Sequence, residues 1–142
     1  MSRYDTNLAA EFYVLSMLYR LGAEAFLTLG NKKSVDIIVT HPNASTLTLD
    51  VKGLAGPYDW PADNIVLPGP MSHFIALLSF EGKIADPLHV PSVWIIPANE
   101  LAPFRKKYKT RVVVSRALIR EKGSDYLNNW APFVPDLHFP GA

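Results

Sequence analysis

The segment SVDIIVTHPNASTLTLDVKG, residues 34–53, carries the strongest structural pattern in the chain. Apolar and polar residues alternate in TLTLDVK (46–52), and in SVDIIVT (34–40) Val35, Ile37 and Val39 fall on one face. The turn-forming residues HPNAS separate the two halves. A period of two is typical of a half-buried strand, and a short polar connection is typical of a hairpin. The segment therefore predicts two antiparallel strands.

The predicted hairpin places two aspartates opposite each other. If Thr40 and Thr46 flank the turn, Asp36 lies across from Asp50, and Lys52 shares their face of the sheet. Directly opposite side chains have Cβ atoms about 4.5–5.5 Å apart, and like charges at that distance repel. The two carboxylates are therefore expected to share a cation.

A third carboxylate comes from a predicted helix. Residues 7–21, NLAAEFYVLSMLYRL, have helical periodicity, with Asn7 suited to cap the start and Gly22 to end it. The apolar stripe is expected to comprise Leu8, Phe12, Leu15, Leu18 and Tyr19. Glu11 falls on this stripe and is expected to face the core, where a carboxylate requires a cation or a metal ion. Taken alone, Glu11 is equally well explained as a stripe-edge residue paired with a lysine.

Three carboxylates and a lysine suit metal-assisted hydrolysis. Mg²⁺ and Mn²⁺ prefer carboxylate oxygens, so Asp36, Asp50 and Glu11 are predicted metal ligands. A metal ion held there can activate water against a phosphodiester, and Lys52 can orient that water or hold the phosphate. The alternative needs no substrate: Lys52 forms a structural ion pair with one of the aspartates at the end of its strand.

These residues resemble the pattern of the PD-(D/E)xK, or restriction-endonuclease-like, nucleases. The similarity lies in EFYVLSMLYRLG with Glu11, SVDIIV with Asp36, and LDVKG with Asp50 and Lys52, and it is closest to small, uncharacterised bacterial members. Val35 departs from the pattern, which loosely keeps a proline before the first aspartate.

The resemblance implies a fold, a metal and a substrate. The fold is an α/β (α+β) domain with an αβββ start and a central mixed sheet of four or more strands flanked by helices. The resemblance also implies Mg²⁺ or Mn²⁺ at the acids, catalytic roles for Asp36, Asp50, Lys52 and Glu11, and hydrolysis of DNA. Because members that cut duplexes commonly pair, a homodimer is a further expectation. Since fold does not settle function, the alternative is a catalytically silent module that binds nucleic acid or protein.

Strands and short helices are predicted along the rest of the chain, around a Gly- and Pro-rich connection at 53–72. Strands are expected at 25–29, 73–80, 92–97 and 111–115, a short helix within 98–109, and a last helical turn or two within 125–133. A single domain over 1–142 is predicted, with a core at about 7–122 and a C-terminal extension at 123–142.

Composition indicates a folded protein without thiol chemistry. The 142 residues are 49% hydrophobic and 19% charged, and no cysteine is present, which excludes disulfides and thiol nucleophiles. We find no signal-peptide pattern and no long apolar run, so a cytoplasmic protein with no membrane contact is expected.

Basic residues are unevenly distributed although the net charge is only +1. Residues 105–122 contain eight basic residues and one acidic residue, a cluster suited to DNA phosphates. A solvated edge would explain the same cluster. The predicted nucleic-acid contacts are Lys32, Lys33, Trp60, Arg105, Lys106, Lys107, Lys109 and Arg111. For Trp60 the alternative is that its ring packs inward as the local core of the 53–72 connection.

Overall fold

A mixed five-stranded sheet and two α-helices form the α+β fold of the computed structural model, which describes residues 2–28, 35–40, 45–65 and 72–134. The helices are α1 (Arg3–Arg20) and α2 (Arg116–Lys122). The strands are β1 (Glu24–Leu27), β2 (Ile37–Thr40), β3 (Thr46–Leu54), β4 (Trp60–Pro61), β5 (His73–Ser79), β6 (Ser92–Pro97), β7 (Arg105–Lys107) and β8 (Val112–Val114). No helix within the described ranges is long and apolar enough to cross a membrane.

The large sheet has the strand order β1-β2-β3-β5-β6. Strands β3 and β5 are parallel, and the other neighbours are antiparallel. The predicted hairpin and its register are confirmed, since Ile37 lies opposite Leu49 and Thr40 lies opposite Thr46. A second, three-stranded sheet has the order β4-β8-β7.

Helix α1 begins earlier than predicted and buries a different face. Ser2 is the N-cap, with its Oγ accepting a 3.1 Å hydrogen bond from the Asp5 backbone N–H, so Asn7 lies inside the helix. The buried residues of α1 are Thr6, Ala10, Val14 and Leu18. Of the predicted apolar stripe, Phe12 and Tyr19 are 54% and 57% exposed, so that part of the prediction is wrong.

Close packing against β3 explains which face of α1 is buried. A Cβ atom on Gly53 would lie 2.5 Å from the Cβ of Ala10 and 3.3 Å from the Thr6 carbonyl oxygen. Only small groups at this crossing let the helix axis approach the strand so closely. The alanine and threonine side of α1 therefore turns inward, and the aromatic side turns outward.

Two hydrophobic clusters lie on opposite faces of the large sheet. The first contains α1 side chains with Leu49 and Val51 of β3, and it also contains Trp130 and Phe133. These two aromatic residues are buried, so the core extends beyond residue 122 into the segment predicted to be an extension. The second cluster places β4, β8 and α2 against β5 and β6.

The basic segment also differs from its predicted form. In place of one short helix within 98–109 there are two 3₁₀ turns, Ala98–Glu100 and Ala102–Phe104, followed by β7. Pro103 disfavours a continuous α-helix because it has no N–H to donate. Helix α2 was not predicted; its N-cap is Ser115, whose Oγ accepts from the Leu118 N–H at 3.3 Å.

Candidate active site

Asp36 lies where the regular pairing of β2 with β3 ends. The last register pair is Ile37 with Leu49, and the Asp36 N–H donates to the Leu49 carbonyl at 2.8 Å. One carboxylate oxygen of Asp36, Oδ2, accepts a 2.7 Å hydrogen bond from the Val51 N–H. The Val51 N–H therefore donates to a side-chain oxygen and not to a backbone carbonyl of β2. This bond holds the Asp36 carboxylate near the plane of the sheet.

Asp50 and Glu11 reach Asp36 from opposite faces of the sheet. Asp50 is 3% exposed and lies beside Ile75 of β5, on the face of the second cluster, whereas Glu11 is carried by α1 on the first-cluster face. Asp36 is close enough to both of the other carboxyl groups to help raise their pKa values. The three acids therefore do not share one face; the position of Asp36 in the gap between β2 and β3 brings them together.

Burial and mutual repulsion raise the pKa values of two of these carboxyls. The pKa of Glu11 is raised to about 7, chiefly by burial and then by Asp36 and Asp50. The pKa of Asp50 is raised to about 6 by burial; Lys52 opposes this rise and Asp36 adds to it. Near neutral pH the cluster therefore holds more protons than three solvated carboxyls would. A cation entering the cluster would displace them.

Lys52 is held between an acid and an amide. Its Nζ lies 3.5 Å from Asp50 Oδ2 and donates a 3.0 Å hydrogen bond to Asn64 Oδ1. Asp50 Oδ2 is buried and accepts no hydrogen bond from any described residue. The ion pair with Asp50 agrees with the structural alternative for Lys52, but it leaves this oxygen with unused acceptor capacity.

Two further polar residues border the acids and were missed by sequence reasoning. Asn64 precedes the buried Ile65 in the Gly- and Pro-rich connection and has no recognisable motif. His73 lies beside Thr48 on β3, with its Nδ1 2.7 Å from Thr48 Oγ1. Burial lowers the pKa of His73, and the charge of Asp36 opposes that effect. Sequence periodicity could have pointed to His73, because a period of two along β5 places it on the same face as Ile75, which lies beside Asp50.

Most of the predicted basic contacts lie on one hairpin formed by β7 and β8. Arg105 is half-buried, whereas the other predicted basic residues of the segment, Lys106, Lys107, Lys109 and Arg111, are exposed. The Tyr108 N–H donates to the Arg111 carbonyl at 2.8 Å, which closes the turn, and the Arg111 guanidinium lies 5.7 Å from the Tyr108 ring centre. The other two predicted contacts, Lys32 and Lys33, lie outside the described residues.

Trp60 is a core residue rather than a surface contact. Its exposed fraction is 0%, its Nε1–H donates to the Leu78 carbonyl at 3.1 Å, and its ring packs edge-on against Trp94 at 5.9 Å. An indole so enclosed cannot stack on a nucleic-acid base. The nucleic-acid contact expected for Trp60 is therefore wrong, and the aromatic ring in this connection packs inward.

The acids at this site supply the minimum set of oxygen donors that a hard divalent cation needs. Within the described ranges, no group of three or more His, Asp or Glu side chains is arranged to hold a metal ion. However, Mg²⁺ commonly uses one or two carboxylates and completes its shell with water and substrate oxygens. Asp36 and Asp50 supply that minimum, and the buried Asp50 Oδ2 without a hydrogen-bond partner is an oxygen such an ion can use. The residues therefore fit a two-carboxylate site more closely than the predicted three-carboxylate site.

Comparisons with known proteins gave no match for this chain among family models, curated proteins or solved structures.

Proposed function

We propose that this protein is a metal-dependent nuclease that hydrolyses DNA phosphodiester bonds on a restriction-endonuclease-like fold. The observation that carries the proposal is the meeting of Glu11, Asp36 and Asp50 where β2 leaves β3, with Lys52 beside them. Holding three carboxyls close together, with Asp50 buried and Glu11 and Asp36 half-buried, costs stability, as the raised pKa values of Glu11 and Asp50 indicate. Such a cost is typical of functional sites.

The order of the elements supports the proposed fold. Helix α1 is followed by the antiparallel strands β1, β2 and β3, and β5 then joins β3 in parallel. This arrangement agrees with the αβββ start and the mixed sheet that the resemblance implies. It places the aspartate before β2 and the DxK motif of β3 at the same end of their hairpin.

Each residue has a proposed role at the scissile bond. Asp36 and Asp50 would hold Mg²⁺ or Mn²⁺, which would supply charge neutralisation and an acidified water, and Glu11 would stand beside this two-carboxylate site as a third acid. Lys52 would orient the attacking water or hold a phosphate oxygen with its ammonium group. The hydrogen bond from the Val51 N–H fixes Asp36, so its carboxylate requires little reorganisation on binding.

The hairpin of β7 and β8 supports DNA as the substrate. Its exposed basic side chains form a sequence-independent surface for phosphates. The hairpin belongs to the small sheet that packs on the second cluster, so it stands on the Asp50 face of the large sheet. A duplex held by this hairpin would therefore approach the face from which Asp50 and Lys52 project.

Plasmid nicking tests the proposal. Wild-type protein in Mg²⁺ or Mn²⁺ is expected to nick supercoiled DNA, and single-stranded DNA serves as the second substrate. Asp50→Asn is expected to lower the rate about 100-fold or more, the scale for losing one strong electrostatic group. The matched control is Asp125→Asn, because Asp125 is exposed and lies on the 3₁₀ turn Ser124–Tyr126. Equal nicking by wild type and Asp50→Asn would refute the proposal, because contamination would explain the cleavage.

A binding module without catalysis is the competing outcome. The Lys52–Asp50 ion pair favours it, because a lysine that neutralises the acid needs no metal ion. Calorimetry with Mn²⁺ separates the two: the nuclease predicts Mn²⁺ binding that Asp36→Ala abolishes. DNA binding that is unchanged by Asp36→Ala, with no Mn²⁺ binding, would establish the module.

A further inference from the structure

The turn that follows β4 is fixed at both ends by the core. Ala62 and Ile65 are 0% and 6% exposed within the second cluster, and the Ile65 N–H donates to the Ala62 carbonyl at 3.2 Å. Between them, Asp63 and Asn64 are exposed. The burial of Ala62 and Ile65 therefore fixes the backbone from which Asp63 and Asn64 project.

This turn contacts both functional parts of the proposed nuclease. On one side Asn64 Oδ1 accepts the 3.0 Å hydrogen bond from Lys52 Nζ. On the other side Asp63 Oδ1 accepts from the Val112 N–H of β8 at 2.7 Å, and the Ala62 N–H donates to the Val112 carbonyl at 2.9 Å. Two adjacent side chains thus join the lysine of the DxK motif to the base of the basic hairpin.

We infer that Asn64 is a positioning residue for Lys52, and that Asp63 couples its position to the β7–β8 hairpin. The inference rests on the proposed function for its consequence in catalysis. A lysine ammonium on a four-carbon stem is mobile unless it is held, and the 3.5 Å contact with Asp50 alone does not fix its direction. With Asn64 as a second partner, Nζ is aimed before the substrate arrives, so DNA held by the hairpin meets a lysine already in place.

Side-chain NMR of the metal-free protein tests the inference without requiring activity. The Lys52 Nζ signal, assigned through Lys52→Met, is expected to be ordered in the wild type and to become as mobile as an exposed lysine in Asn64→Ala. Asn64→Asp keeps the Oδ1 acceptor and is expected to restore the order. Asn99→Ala is the control, since Asn99 is exposed on the turn Ala98–Glu100.

The Asp63 contact is tested by a second pair of variants. Asp63→Ala is expected to loosen the Lys52 signal, whereas Asp63→Asn, which keeps the oxygen that accepts from Val112, is expected to leave it ordered. In the nicking assay, Asn64→Ala is expected to lower kcat about 10-fold or more with KM for DNA unchanged, because misplacement of a reacting group lowers kcat.

Two results would overturn the inference. One is a Lys52 Nζ signal that is unchanged in Asn64→Ala, and the other is a mobile signal in Asn64→Ala with unchanged kcat. If the wild-type protein does not nick DNA, the proposed function fails, and the NMR comparison still decides whether Asn64 and Asp63 position Lys52.

Discussion

Replacing Asp50 by asparagine is expected to stabilise the metal-free protein at alkaline pH and to have little effect at acid pH. The Asp50 carboxyl is 3% exposed, and its pKa is raised from an ordinary value of 3.8 to about 6. Because the folded state prefers the protonated acid, the penalty is absent below pH 3.8. It grows as the pH rises and is complete above about pH 6. Asparagine has a similar shape and carries no charge, so it avoids this penalty.

The size of the effect follows from the pKa difference. At about 1.36 kcal/mol per pH unit, the interval from 3.8 to about 6 corresponds to about 3 kcal/mol. This free energy already includes the attraction between Lys52 and Asp50, because the pKa of about 6 is the net result of burial, which raises it, and Lys52, which lowers it. For 142 residues, an unfolding entropy of about 2.1 cal/mol/K per residue converts 3 kcal/mol into a rise in Tm of about 10 °C.

Thermal unfolding of wild type and Asp50→Asn at pH 4 and pH 8, with chelator present, measures the difference. We expect a gain at pH 8 that largely vanishes at pH 4, and no gain in the exposed control Asp125→Asn. Saturating Mn²⁺ should then stabilise the wild type more than the variant. If Asp50→Asn unfolds at a lower temperature than wild type at pH 8, the ion pair with Lys52 is structural and the reasoning is refuted.

Three other variants test the packing and the basic hairpin. Gly53→Ala is expected to cost about 2–3 kcal/mol in urea unfolding, because the new Cβ meets the Cβ of Ala10 at 2.5 Å; an unchanged midpoint would contradict the close approach of α1. Trp60→Phe loses the hydrogen bond to the Leu78 carbonyl and should lower stability by about 1–2 kcal/mol without changing DNA affinity. A large loss of DNA affinity would show that Trp60 contacts DNA. Replacing Lys106 and Lys107 with alanine should reduce the slope of log K against log salt by about 2, measured by fluorescence anisotropy with duplex DNA. An unchanged slope would show that the hairpin does not contact the phosphates.

Local patterns in the sequence were sufficient to predict the hairpin. Successive strand residues point to opposite faces, so the apolar positions of SVDIIVT and TLTLDVK indicate which residues face the core. The turn residues between them show where the chain reverses. The register therefore followed directly, and with it the positions of Asp36 and Asp50 on neighbouring strands. Strands β5 and β6 were predicted for a similar reason, since short apolar runs are typical of central strands.

Amphipathic patterns were less informative where two faces of an element were both apolar. Helix α1 carries aromatic residues on one side and small residues on the other, and periodicity favoured the aromatic side. The buried side was decided by Gly53, which lies far along the chain and has no side chain to hold the helix away. In the same way, Trp60 lies in a Pro-rich connection, and its burial depends on side chains of β5, β6 and β8 that pack around it.

The sequence by itself determined the hairpin, the residues of the DxK motif and their nearness to Asp36, because these depend on strand periodicity and one turn. Only the tertiary structure decided that Asp36 bonds to β3 just beyond the end of β2, close to Asp50 and to Glu11 of α1. It also decided that Asn64 accepts a hydrogen bond from Lys52. The physical reason is that both arrangements arise from contacts between separately folded elements, whose mutual placement depends on side-chain volumes and backbone partners far apart in the chain.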